Sequence, residues 1–453
     1  MRIHPVTERA TAFAARCGHG PLSESLEEHV RRARGTGRSG LDGFVEEWAE
    51  WFPALERTAA LVRTAAAAPP GERERALDRA LSAVLDGTRE RLAAFERDVR
   101  GPVTAVYAFG VLLPLALVGI IPAARVAGVR VSVPAVVVGY DVVLPVVLTA
   151  ASVRLLLRRP AAFPPPRVPR SHPDVPDGWR WLPVGVAAGA VAWFAAEWFV
   201  APWSAPIAGV GTGTGAGLVV RYRPVKRVRD RVREAEEHLD DALYLVGRRV
   251  ADGESVERVL STVAEEVNGE TGAVFAAADG VRRRLRTTVH GAFLGPNGVL
   301  NDLPSPRFRN AATLLSLATR EGTQAGAAIV SMAEQLDDLR RVEAEARRGL
   351  ARVTGTLANT AAVFGPVVAG ATVSLSGSVS TGAGRTVGRG LSAAALGPAI
   401  GVYVLLMAVL LTALSTGLDR GLDPALVGYR VGLALPAATA TYLVAVVGTG
   451  LLL

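Results

Sequence analysis

The stretch Val103-Thr-Ala-Val-Tyr-Ala-Phe-Gly-Val-Leu-Leu-Pro-Leu-Ala-Leu-Val-Gly-Ile-Ile-Pro-Ala123 contains no charged residue. A helix needs about 20 consecutive apolar residues to cross the hydrocarbon core of a bilayer, and this stretch is long enough. It follows Glu96-Arg-Asp-Val-Arg100, so the chain changes from charged to apolar within a few residues. The pattern predicts a transmembrane helix that begins beside a polar domain.

Further apolar blocks of similar length give about seven predicted spans in two groups. The first group is Val103–Ala123, Val131–Leu157, Trp181–Val200 and Pro202–Val220, and the second is Leu357–Leu375, Leu391–Leu414 and Tyr429–Leu453. Pro202–Val220 gives the weakest signal because it is short and rich in glycine. Because 50% of the residues are hydrophobic and helices satisfy their own backbone hydrogen bonds in lipid, we expect an all-α polytopic membrane protein.

Arginine in the connecting segments sets the expected orientation, since basic residues accumulate on the cytoplasmic side. The loop between the second and third blocks contains Arg158, Arg159, Arg167, Arg170 and Arg180. The segment after the fourth block reads Arg221-Tyr-Arg-Pro-Val-Lys-Arg-Val-Arg229. We therefore expect a multi-pass protein of the cell membrane whose N-terminus, arginine-rich loop and middle region are cytoplasmic, with Leu453 outside. Without a crossing at Pro202–Val220 the middle region would lie outside.

The polar regions carry helical periodicity, which predicts two cytoplasmic helical bundles. In the first, Leu41–Phe52 and about Glu72–Arg100 form helices that are separated by prolines. In the second, a helix ends at Ala251-Asp-Gly253, another begins at Glu254, and a long helix runs from about Ala327 into the fifth block. The predicted domains are 1–102 (cytoplasmic), 103–220 (membrane), 221–355 (cytoplasmic) and 356–453 (membrane). The charged N-terminus predicts no cleavable signal peptide.

The residues that most catalytic chemistry needs are absent or scattered in this sequence. Cys17 is the only cysteine, which excludes an internal disulfide. Lys226 is the only lysine and lacks the glycine cradle of a P-loop. The six histidines have no metal-ligand spacing. We predict a protein that is not an enzyme, has no cofactor and no metal, and binds no nucleic acid.

Two acidic residues fall inside predicted spans, where an ionisable group is a functional candidate by default. Asp141 lies near the middle of the second span and would serve either a proton path or a polar contact between helices. Glu197 lies beside Trp198 near a membrane interface, where it can stay hydrated.

Three stretches resemble the type II secretion system F family, the membrane platform of type IV pilus-like machines. Leu239-Asp-Asp-Ala-Leu-Tyr-Leu-Val-Gly-Arg-Arg-Val-Ala-Asp-Gly-Glu-Ser-Val-Glu-Arg-Val-Leu260 resembles that family's opening helix, glycine turn and second helix. Arg320-Glu-Gly-Thr-Gln-Ala-Gly-Ala-Ala-Ile329 resembles its Glu-Gly-x-x-x-Gly element, and Leu350–Leu375 its exit into the membrane. The resemblance covers roughly 221–376, and the overall layout is similar to that of archaeal members.

The resemblance implies a docked cytoplasmic secretion ATPase, pilin-like subunits as cargo and a homo-oligomeric platform in the lipid bilayer. By the same resemblance, Gly253, Gly322 and Gly326 would shape turns and helix contacts on the surface that faces the ATPase, and Glu321 would face the ATPase or cap a helix. Asp240 and Asp241 belong to charged helix faces that suit either solvent or a docked partner.

A weak internal repetition supports a duplicated architecture. Each polar region ends in a long charged helix that enters a span, and these spans contain Phe109-Gly110 and Phe364-Gly365. The alternative class is a transporter or channel, which would gather polar residues in the middle of the membrane. Asp141 is the residue that favours this alternative.

Overall fold

In a computed structural model of the chain, the described residues are 6–18, 20–36, 39–126, 132–160, 166, 168–169, 171–176, 178–321, 323–382 and 393–452. Every regular element within these ranges is helical, which confirms the predicted all-α class. Arg167, Arg170, Gly322 and Leu453 lie outside the described residues.

The helices follow the chain in four runs. The first run is α1 (Thr7–Cys17), α2 (Pro21–Ala33), α3 (Gly40–Trp48), α4 (Ala54–Ala67) and α5 (Pro70–Tyr107). The second is α6 (Leu113–Val126), α7 (Val133–Val137), α8 (Leu144–Leu157), α9 (Trp181–Phe199) and α10 (Ala205–Glu236). The third is α11 (Leu239–Ala251), α12 (Val256–Glu266), α13 (Gly269–Leu285), α14 (Val289–Leu294), α15 (Pro306–Glu321) and α16 (Thr323–Asn359). The last is α17 (Gly365–Gly382), α18 (Ala393–Arg420) and α19 (Pro424–Leu452).

Two local boundaries differ from the expectation. The helix expected over Leu41–Phe52 ends at Trp48 and is followed by a turn in which the Phe52 amide donates to the Trp48 carbonyl at 2.9 Å. Pro53 has no amide hydrogen and cannot extend this turn. The second helix of the N-terminal region does not stop at Arg100 but continues through Pro102 to Tyr107. The polar helix and the first span are therefore continuous.

Within the described residues, three segments have the wider π-helical turn. They are Ala108–Leu112 between α5 and α6, Val138–Val143 between α7 and α8, and Thr360–Phe364 between α16 and α17. A π turn holds one extra residue and is found frequently at functional sites.

Six helices in the described ranges are long and apolar enough to cross a membrane. They lie within Pro70–Ile120, Val133–Leu157, Trp181–Phe199, Ala325–Ser376, Ala393–Arg420 and Pro424–Leu452. The chain therefore has the features of a multi-pass membrane protein. The expected count of about seven is not confirmed, because Pro202–Val220 is absent from this set. The start of α10 contains five glycines between Gly209 and Gly217, which lower its hydropathy.

These glycines bring the start of α10 against its neighbours on two faces. On one face, a Cβ added to Gly213 would lie 2.9 Å from the Gly185 carbonyl oxygen of α9. On the other face, a Cβ added to Gly215 would lie 2.4 Å from Cδ of Pro436 in α19. Small residues permit such close backbone approach between helices in a membrane. The glycine-rich segment is thus a packing element between two apolar helices.

The chain divides into two compact units, each built from three segments. Unit 1 contains Met1–Leu92, Pro166–Pro173 and Val228–Ala346, and unit 2 contains Ala93–Pro165, Asp174–Arg227 and Arg347–Leu453. The polar N-terminal and middle regions thus share unit 1, and the apolar blocks share unit 2.

The middle region of unit 1 is held together by apolar side chains at helical spacing. Leu239, Leu243, Val246 and Val250 recur on one face of α11 and are all buried. Three phenylalanines extend this core, since the Phe275 ring lies 5.8 Å from Phe293 and 6.0 Å from Phe308. Aromatic contacts of this kind add to the free energy gained by burying the rings.

The glycine packing of α10 predicts that position 213 tolerates no side chain. Gly213→Leu should lower the melting temperature of the detergent-solubilised protein, because the clash is with the backbone of α9, which cannot move aside; overpacking typically costs about 1–3 kcal/mol. Thr214→Leu is the matched control, because Thr214 is exposed in the same turn. Equal melting temperatures for the two variants would contradict this packing.

Candidate functional sites

The turn between α11 and α12 has the shape that the sequence predicts. Gly253 has φ +97°, which lies in the left-handed region that disfavours any other residue. Its amide donates to the Val250 carbonyl at 3.1 Å, and the Glu254 amide donates to the Arg249 carbonyl at 3.0 Å. These bonds end α11 and direct the chain into α12. The tip of the turn, from Ala251 to Gly253, is exposed.

Gly326 lies where α16 crosses α11. A Cβ on Gly326 would lie 2.5 Å from the Ala251 amide nitrogen, and one on Gly247 would lie 2.7 Å from the Val330 amide nitrogen. Each glycine therefore lets the backbone of one helix touch the other. Gly247 was not singled out by the sequence analysis, although it lies within the stretch that resembles the secretion family. Gly326 is buried at this crossing and packs α16 against α11, while a part in contact with an ATPase stays a prediction.

The other two residues of the Glu-Gly-x-x-x-Gly element give less information. Glu321 is the last residue of α15, and its side chain lies outside the described part of the structure, as does the whole of Gly322. Their proposed roles at a partner surface stay predictions.

Asp240 and Asp241 differ sharply although they are adjacent. The Asp240 side chain is only 12% exposed and pairs with Arg340 of α16 at 2.5 Å. Asp241 is 75% exposed and lies 3.5 Å from Nδ1 of His238. Asp240 thus joins α11 to α16, and Asp241 is the acid that faces solvent.

A second ionic cluster, not anticipated from the sequence, lies at the end of α10. Oγ of Ser305 donates to Glu236 at 2.5 Å, and Arg307 lies 3.4 Å from Glu236 and 2.7 Å from Glu343. Burial raises the pKa of the Glu236 carboxyl, and the nearby Glu343 carboxylate acts in the same direction; Ser305 and Arg307 oppose them. Two acids therefore share Arg307. The sequence offers no signal for this cluster, because its members are separated by up to about a hundred residues.

Asp141 and Glu197, the two acids within predicted spans, lie in different environments. Asp141 lies in the π segment Val138–Val143, and its Oδ1 is buried without a hydrogen-bond partner among the described residues. Glu197 is exposed near the end of α9, beside the exposed Trp198. Such a position suits a membrane interface, where Glu197 can remain hydrated.

Tyr403 of α18 contacts two of the described π segments of unit 2 and lies beside the third. Its hydroxyl donates to the Gly110 carbonyl in the first π segment. Its ring meets the ring of Tyr140, in the second, edge-on at 5.4 Å. With Thr360 and Ala361 of the third, it lines a small apolar void of about 10 Å³. Sequence reasoning missed Tyr403, because only the fold brings these segments together.

The predicted site residues thus form two separate sets. Asp240, Asp241, Gly253 and Gly326 belong to unit 1, whereas Asp141 and Glu197 belong to unit 2. Among the described residues, no group of three or more His, Cys, Asp or Glu side chains is placed to hold a metal ion.

Comparison with known proteins identifies no relative. No protein-family model matches the chain, and neither a curated protein nor a solved structure is significantly similar to it. The resemblance to the secretion family therefore rests on the three sequence stretches alone.

Burial of Glu236 predicts a specific pH dependence for unit 1. Because the native pKa is raised above the ordinary value of 4.5, stability from this group is fully present below that value. It is lost as pH rises through the native pKa. Glu236→Gln removes the titration, so the variant should gain stability relative to the wild type as pH rises from about 4.5 to 7.

Hydrogen exchange of the α15 amides, corrected for intrinsic rates, measures this difference. The matched control is Glu237→Gln, since Glu237 is exposed and adjacent. Parallel pH profiles for wild type and Glu236→Gln would show that the buried carboxyl does not titrate differently in the native protein.

Proposed function

We propose that this protein is the membrane platform of a type IV pilus-like or type II secretion-like machine. It would couple a cytoplasmic secretion ATPase to the assembly of pilin-like subunits. The observation that carries the proposal is a repeated connection between polar helix and span. α5 has 38 residues and α16 has 37, and each leads into a five-residue π segment and then an apolar helix.

The Phe-Gly pairs of the predicted internal repeat lie in or beside the first and third π segments. Phe109 and Gly110 lie inside the first π segment. Phe364 ends the third π segment, and Gly365 begins α17. Both halves of the chain therefore change helical geometry close to the Phe-Gly pair, although the π segment of the second half begins three residues earlier relative to that pair.

The two connections provide a route for motion from the polar helices to the spans. A rearrangement at the ends of α5 and α16 would be carried along each helix, because a continuous helix transmits rotation and translation. A π turn accommodates a local change of register, and helix shifts of this kind are an established form of conformational switching. The spans would then move and load a pilin-like subunit.

The ATPase would dock on the exposed part of unit 1. Asp241 and the turn at Gly253 are exposed there, and Glu321 follows on α15. The chain itself would hydrolyse nothing and would work as a homo-oligomer in the cell membrane, with its N-terminus in the cytoplasm.

We further propose that the start of α10 is a seventh crossing. Within unit 1, two hydrogen bonds join the loop before α9 to the last part of α10 and to the region that follows α10. His172 Nε2 lies 3.1 Å from the Asp302 carbonyl oxygen, and Arg229 donates through Nε to the Pro166 carbonyl at 3.2 Å. This proximity supports a position of these regions on the same side of the bilayer.

A chain that leaves one side and returns to it must cross an even number of times. Between Pro173 and Val228, α9 is one candidate crossing, and we propose the glycine-rich start of α10 as the second. The start of α10 contacts α9 on one face and α19 on another. Because these two faces are covered by protein and not by lipid, the segment needs a lower hydropathy to cross. Seven crossings would place the end of α19 outside.

A strain lacking the gene tests the platform function. Surface filaments, counted by electron microscopy, should be lost in this strain and restored by the intact copy. Glu321→Ala should fail to restore them if Glu321 faces the ATPase. Glu270→Ala, which changes an exposed glutamate on α13, is the control and should restore them.

Normal filaments of every kind in the deletion strain would contradict the platform function. The alternative, a transporter or channel, is favoured by one observation, the buried and unpartnered Oδ1 of Asp141. An unsatisfied carboxylate oxygen in a span is costly, and such groups commonly mark ion or proton paths. Ion flux into proteoliposomes that is abolished by Asp141→Asn would support this class instead.

A further inference from the structure

Several helix ends of unit 2 meet at one end of the unit. Nε of Arg159 donates to the Leu418 carbonyl at 3.0 Å, which joins the end of α8 to the end of α18. The guanidinium of Arg221 lies 5.3 Å from the Trp181 ring at the start of α9. Nζ of Lys226 lies 5.6 Å from the Tyr429 ring at the start of α19.

This end carries a set of exposed arginines, which we call the basic collar. Its members are Arg154, Arg158, Arg180, Arg221, Arg223 and Arg227. None of the six makes an ion pair with a carboxylate among the described residues. Their charge is therefore available to an external anion.

The acids at the same end are already engaged. Asp419 lies 3.3 Å from Arg420 and 3.5 Å from Arg430. Asp423 accepts hydrogen bonds from the amides of Ala425 and Leu426 at 3.0 and 2.9 Å, and so caps α19. Asp174 also has a partner. These bonds join Asp419 and Asp423 to residues of α18 and α19 and not to the collar arginines.

Exposed apolar side chains lie directly beside the collar, on the side of the spans. Leu157 is 81% exposed next to Arg158, Leu182 is 44% exposed near Arg180, and Val220 is exposed next to Arg221. Trp179 is also largely exposed, and tryptophan favours the depth of lipid headgroups. A soluble anion would meet the arginines and leave these apolar side chains uncovered.

We propose that the basic collar binds the phosphate headgroups of anionic phospholipids. The arginines would pair with the phosphate oxygens, since guanidinium groups match phosphate in charge and geometry. The acyl chains would cover Leu157, Leu182 and Val220. The collar would thereby fix the depth of unit 2 in the bilayer and make its stability depend on lipid charge.

The test counts lipids bound to the purified full-length protein in non-ionic detergent by native mass spectrometry. The probes are phosphatidylglycerol, which is anionic, and phosphatidylcholine, which is zwitterionic. The intact protein should prefer phosphatidylglycerol. The variant Arg158→Gln/Arg180→Gln/Arg223→Gln/Arg227→Gln should bind phosphatidylglycerol at least ~tenfold more weakly, because each cation near an anionic surface adds to the affinity. Its binding of phosphatidylcholine should be unchanged.

The matched control removes the same charge from unit 1, as Arg91→Gln/Arg248→Gln/Arg258→Gln/Arg309→Gln; all four of these arginines are exposed. It should bind phosphatidylglycerol like the intact protein. Lipid-free melting temperatures verify folding, and the pairs Arg158→Gln/Arg180→Gln and Arg223→Gln/Arg227→Gln replace the fourfold variant if it does not fold. Equal affinity for the two lipids, equal losses in collar and control variants, or displacement of the lipid by equimolar inorganic phosphate would overturn the proposal.

Discussion

The three chain segments of unit 1 pack into one compact unit, and we propose that all three lie on the same side of the bilayer. On this proposal, each stretch of chain between two of these segments crosses the membrane an even number of times. The stretch from Ala93 to Pro165 does so with two strongly apolar helices. The stretch from Asp174 to Arg227 has one strongly apolar helix among the described residues, α9, and the start of α10 is the proposed second crossing. The glycines of this segment let it pack closely between α9 and α19, so less of its surface has to be apolar.

Two tyrosine hydroxyls in or beside the π segments of unit 2 donate to backbone carbonyls. Tyr403 donates to Gly110 in the first π segment, and Tyr140 donates to the Pro114 carbonyl of α6 at 2.7 Å. Among the described residues, Oδ1 of Asp141 and the hydroxyls of Thr412 and Thr416 are buried without a partner. The long helices α5 and α16 each join their apolar continuation through a π segment.

Sequence reasoning succeeded where the signal is local and failed where it depends on distant contacts. Apolar block length predicted about seven spans, of which six correspond to helices long and apolar enough to cross a membrane, and the Asp252-Gly253 pair predicted the turn that Gly253 makes with its positive φ. The pairing of Asp240 with Arg340, the cluster around Glu236 and the position of Tyr403 join residues that are far apart along the chain. The glycine-rich start of α10 has a weak hydropathy signal. Its packing partners lie in α9 and α19, and the local sequence does not reveal them.

The accessibility of single cysteines tests the account most directly. In a Cys17→Ser background, Ser171→Cys, Pro202→Cys and Glu237→Cys would each be labelled with a membrane-impermeant maleimide in sealed vesicles of known orientation. The account predicts that positions 171 and 237 are labelled from the cytoplasmic side and position 202 from the opposite side. Labelling of positions 171 and 237 from opposite sides would contradict it, because α10 would then not cross and unit 1 could not be one body.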